Sequence, residues 1–99
     1  MKALTGTALN KIAIRYYESL SHILYEQNGE EKEIDFSDKT ISENIVQVHV
    51  LFNESYKGDI THIRVIDKDG DVAAEDNRIY RSTSRKALYI SFKHEFTEI

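Results

Sequence analysis

The chain contains no cysteine and no proline. It can therefore form no disulfide, thiolate nucleophile, cysteine-based zinc site or proline-rich recognition segment. Glycine is scarce: Gly6, Gly29, Gly58 and Gly70 are spaced like turn punctuation, and none belongs to a phosphate-cradling loop. No apolar run approaches the ~20 residues of a membrane-spanning helix, so no membrane insertion is expected. The N-terminus turns amphipathic at Lys11 and Arg15 and lacks the roughly 7 to 15 apolar residues of a secretory signal, so synthesis in the cytoplasm is expected. Positive charge is also in deficit. A net charge of −4 and a pI near 5.5 disfavour nucleic acid, because phosphate binding draws on clustered Lys and Arg.

What is present fits one globular domain over residues 1–99. At 40% hydrophobic and 30% charged, the 99 residues can close one modest core. Leu9, Ile12, Ala13, Tyr16, Tyr17 and Leu20 recur at three- and four-residue steps, predicting a helix over about 7–20 with Thr5 or Thr7 as its N-cap. Strands are expected over about 21–26, 32–36, 45–52, 60–66, 71–75 and 88–96. The first two form a hairpin around Asn28-Gly29, and Asp67-Lys68-Asp69-Gly70 turns another. Within 45–52, Val46, Val48, Val50 and Phe52 share one face, opposite Ile45, Gln47, His49 and Leu51. Within 88–96, Leu88, Ile90, Phe92, His94 and Phe96 alternate with Tyr89, Ser91, Lys93 and Glu95. Consecutive hairpins without crossover helices predict an α+β fold: one N-terminal helix packed on an antiparallel β-sheet or small β-sandwich.

Reactive constellations are sparse. Asp67, Asp69 and Asp71 do not follow an EF-hand, which needs glycine sixth and an acid twelfth; here glycine is fourth and Arg78 is twelfth, so a hairpin turn is the simpler reading. His22, His49, His62 and His94 fall on four different strands, without the close spacing that gathers imidazoles on one metal, and His94 is expected at the core edge. No Gly-x-Ser-x-Gly elbow is present. These features point away from an enzyme, with no cofactor, metal or small-molecule substrate expected. Tyr16 and Tyr17 are expected at the core or its rim, and Tyr25, Tyr56 and Tyr89 are the more exposed tyrosines.

Charge divides along the chain. Glu26, Glu30, Glu31, Glu33, Asp35 and Asp38 make an acidic stretch, whereas Arg78, Arg81, Arg85, Lys86 and Lys93 lie in a segment, 77–94, without acidic side chains. Opposite patches of this kind can join copies of a chain. Tyr80 and Ser82-Thr83-Ser84 give the basic segment an interface-like composition. Arg78, Tyr80, Arg81, Arg85 and Lys86 are thus the candidate protein-interaction residues.

The order of motifs resembles the small domains of bacteriophage tail fibre and tail-collar proteins. Leu4-Thr5-Gly6-Thr7-Ala8-Leu9-Asn10-Lys11-Ile12-Ala13 is similar to the opening helix of that family. Gly58-Asp59-Ile60-Thr61-His62-Ile63-Arg64-Val65-Ile66-Asp67 with Gly70 is similar to its strand and glycine turn, Val72-Ala73-Ala74-Glu75 to its short alanine-containing strand, and Leu88 to Phe96 to its last strand. The charged 30–38 segment and Arg64 depart from the family pattern. The resemblance implies a non-enzymatic phage or prophage virion protein of the tail, fibre or baseplate, acting in assembly or host adsorption, located in the virion, with itself (as a homo-oligomer) and other tail proteins as partners. A small acidic intracellular inhibitor or regulator is the alternative.

Overall fold

The computed structural model describes residues 5–52, 58–81 and 87–97. Helix α1 (Gly6–Ser19) leads directly into β1 (Leu20–Gln27), followed by β2 (Glu30–Ile34), β3 (Asp38–Ser42), β4 (Ile45–Phe52), β5 (Ile60–Asp67), β6 (Val72–Asp76) and β7 (Leu88–Glu95). The strands form two antiparallel sheets, with orders β2-β1-β5-β6 and β3-β4-β7. The expected α+β class, with the helix packed on a small sandwich, is what the chain adopts.

Thr5 is the N-cap: its backbone is extended and its Oγ1 accepts the Ala8 amide at 3.1 Å, which admits Gly6 into the first turn. Ala13 is fully buried, and Tyr16 and Tyr17 pack against the core, but Ile12 is 38% exposed and so lies off the buried stripe. No glycine closes the helix. Instead the free carbonyls of its last turn take donors from elsewhere: Tyr16 O from the Ser19 hydroxyl (2.7 Å), Tyr17 O from Lys39 Nζ (3.0 Å) and Ser19 O from the Lys68 amide (2.8 Å). Leu20 can therefore turn at once into a strand.

Asn28 and Gly29, at φ 53° and 83°, make the two-residue turn that right-twisted hairpins favour. Because so short a turn pairs Gln27 with Glu30, β2 begins two residues earlier than the expected 32–36. The chain then crosses to the other sheet, and β3 is a strand that the sequence pattern did not predict. Its residues Asp-Lys-Thr-Ile-Ser carry one apolar side chain, so no period-two signal marks it; the two-residue turn at Glu43 and Asn44, which sets Ser42 opposite Ile45, holds it on β4. The acidic stretch is thus spread over β1, β2 and β3, the last two being edge strands of different sheets. β6 starts one residue later than expected. At its turn Asp67 Oδ1 accepts the amides of Asp69 (3.0 Å) and Asp71 (2.9 Å), so this aspartate organises the hairpin.

The core lies between the sheets. Ile23, Tyr25, Ile60, Ile63 and Val65 face Val46, Val48, Val50, Phe52, Ile90 and Phe92, and Ala13 and Leu20 join from the helix end. Tyr25, expected to be exposed, is 2% exposed: β1 alternation points it inward with Ile23, and its ring meets Phe52 edge-on at 4.9 Å.

Candidate interaction surface

Two of the candidate interaction residues converge on Asp76, at the end of β6. Arg78 grips the Asp76 carboxylate with Nε on Oδ1 (3.0 Å) and Nη2 on Oδ2 (2.8 Å), the Arg78 amide donates to Oδ1 (3.0 Å), and the Tyr80 hydroxyl donates to Oδ2 (2.6 Å). The Arg78 hydrogen bonds hold the Asp76 carboxyl far below the usual carboxylate range despite the opposing effect of burial. Burial, reinforced by the bond to Asp76, pushes the Tyr80 hydroxyl up to about 12. Tyr80 also exchanges both backbone hydrogen bonds with Ile60 at 2.9 Å, extending the first sheet beyond β6. Arg81 Nη1 stands 3.4 Å from Asp59 Oδ2. The segment that reads as purely basic therefore meets acidic partners in space, although the Arg78 and Arg81 side chains stay 76% and 67% exposed. Arg85, Lys86, the Ser82–Ser84 run and Tyr56 lie outside the described residues.

The outer face of the first sheet gathers a second set of charges. Where β1 and β5 pair, the register shifts between Leu24 and Glu26, and one extra β5 residue is accommodated by His62 at φ 52°. His62 Nδ1 lies 2.7 Å from Glu26 Oε2, its Nε2 lies 3.9 Å from Glu75, and Arg64 Nη2 donates to Glu31 Oε1 at 3.0 Å. Each histidine has its own neighbour: His22 is 4.0 Å from Glu33, and His94 meets the Tyr16 ring edge-on at 5.2 Å, at the core edge as expected.

The outer face of the second sheet differs in chemistry. His49 bonds the Ser91 hydroxyl through Nδ1 at 2.7 Å and stacks on Tyr89, ring centroids 5.4 Å apart and planes 13° from parallel. Leu51 lies directly opposite Tyr89, and these two remain 42% and 57% exposed. Tyr89 was legible as an exposed aromatic; His49 and Leu51 join it only through the β4–β7 register. This patch borders the open edge of β7. The Phe96 amide donates to Asn44 O (2.9 Å), which fixes the even-numbered residues as those bonding toward β4. The amides and carbonyls of Tyr89, Ser91, Lys93 and Glu95 hence point away from the sheet, and among the described residues none takes a hydrogen bond there.

The other three edges are shorter and more guarded. β2 presents Glu-Glu-Lys-Glu, β3 is tied to the helix by Lys39, and β6 runs into the Asp76–Arg78–Tyr80 cluster; each is five residues long against eight for β7. A shallow groove between the start of α1 and the β3–β4 turn is lined by Gly6, Thr7, Leu9, Asn10, Glu43 and Asn44.

Among the described residues, fold and surface together define a helix-capped β-sandwich with one long open edge. Comparison with protein-family models, curated proteins and solved structures finds no match.

Proposed function

We propose that the chain is a non-enzymatic structural component of a phage or prophage virion, of the tail, fibre or baseplate, acting in assembly or host adsorption through contacts with itself and other tail proteins. The observation that carries the assembly part is the eight-residue open edge of β7, contiguous with the exposed Tyr89–Leu51 pair. Long unguarded edges recruit strands, and exposed aromatic and aliphatic side chains beside them supply the apolar centre of an interface. The virion assignment draws on the resemblance of the order of helix, strand and turn motifs to that of tail fibre and collar domains. Most of the polar side chains described above are engaged in positioning strands and turns, as a scaffold requires. Protein composition of purified particles from the host strain tests the reading: the chain should co-purify with tail proteins at a fixed ratio, and its absence from the particles would overturn it.

A second reading has one observation in its favour. Glu26, Glu31, Glu33 and Glu75 share the outer face of the first sheet, a surface an acidic regulator would turn toward a basic partner, though His62 and Arg64 offset part of that charge. Capture of a basic host protein, lost on changing Glu31 and Glu33 to Lys, would favour it over assembly.

A further inference from the structure

Resting on the assembly reading, we propose that β7 pairs antiparallel with β7 of a second copy about a two-fold axis through Ser91. The two three-stranded sheets then join as one six-stranded sheet.

The register follows from side-chain chemistry. Since the odd-numbered residues carry the free backbone groups, a two-fold pair must oppose odd to odd, and isologous contact requires that the strand complement itself. Centring on Ser91 sets Tyr89 opposite Lys93 of the second copy, and the reverse, so each ammonium lies against an aromatic ring. Glu95 falls opposite Ala87, and no like charges oppose. Centring on Lys93 would set two ammonium groups face to face. On the inner side, the Ser91-centred register opposes Ile90 to Phe92 of the second copy. These two are the least buried members of the core, at 6% and 9% exposed, and both lie at the open edge, where a second sheet would continue the core over them. His49 fixes Tyr89 by stacking and Ser91 by hydrogen bonding, so the side chains at the centre of the contact are held in place before association.

The absence of cysteine makes the test clean. In the proposed pair, Ser91 and its symmetry mate are directly opposed, with Cα atoms about 5.5 Å apart, inside the range a disulfide bridges. Lys93 and its mate are offset by four residues, about 14 Å, outside that range. Ser91→Cys should therefore give a disulfide-linked dimer under mild oxidation, and Lys93→Cys should give several-fold less. Lys93→Pro removes an outward amide together with the ammonium that faces Tyr89 of the second copy, leaves the β4 ladder intact, and should weaken self-association at least tenfold with the fold retained by circular dichroism. If the wild type self-associates but Ser91→Cys does not cross-link, or Lys93→Cys links equally well, the β7 pairing is overturned while the assembly reading stands. A monomeric wild type overturns both.

Discussion

Asp76 binds three groups with one carboxylate: the Arg78 guanidinium, the Arg78 amide and the Tyr80 hydroxyl. Its side chain is 9% exposed, so removing it strands a tyrosine hydroxyl, and Asp76→Ala should cost about 1–2 kcal/mol in urea unfolding. The pH dependence has a definite sign. The folded carboxyl titrates below its unfolded value near 3.9, so its contribution is complete above about pH 4 and is lost as pH falls toward the folded value. Asp76→Asn should flatten the stability profile between roughly pH 4 and pH 2, as followed by acid titration of ellipticity. Gly58 is the other exacting position: its φ is 92°, and a Cβ there would run into the Asn28 carboxamide, whose Oδ1 accepts the Asp59 amide at 3.0 Å, so a side chain is admitted only by breaking that bond. Gly58→Ala should lower stability by more than about 1 kcal/mol, seen as a lower urea midpoint. Little of this was legible beforehand. Side-chain alternation in β4 and β7 places His49 and Tyr89 on an outer face, but the grip on Asp76 arises in irregular chain, where no period predicts contacts, and the strain at His62 arises from a bulge visible only when β1 meets β5.

At the scale of elements, those with strong periodic signals or turn chemistry were readable, and those defined by their neighbours were not. β4 has the expected bounds, and Asn28-Gly29 turns as that dipeptide should. β3 was hidden because strand identity there comes from β4 and from the helix, through Lys39 on Tyr17, rather than from its own residues. Its turn carries a cost: Glu43 sits at φ 55° without being glycine, and Asn10 donates to its carbonyl from α1. Glu43→Gly should stabilise the chain by about 0.5 kcal/mol, the relief of strain exceeding the added chain entropy, and the urea midpoint should rise. At the other end of the helix, Thr5→Ala should cost about 1 kcal/mol by orphaning the Ala8 amide, with a matching loss of helical ellipticity near the transition.

For the whole molecule, two small sheets share one core, and their edges differ in how they are guarded. Three are short and are charged, tied to the helix or extended into the Asp76 cluster; β7 is long, free of proline and flanked by Tyr89 and Leu51. From sequence, the basic 77–94 segment was the natural contact. In three dimensions Arg78 and Arg81 already meet Asp76 and Asp59, and the strand that follows them offers the open backbone. An assembly scaffold should therefore associate with itself as the isolated chain. Sedimentation equilibrium of the wild type from about 1 to 500 µM measures this directly, a range that spans the affinities typical of modest interfaces. A reversible rise from monomer mass to a defined oligomer is the predicted result; monomer mass throughout would contradict it.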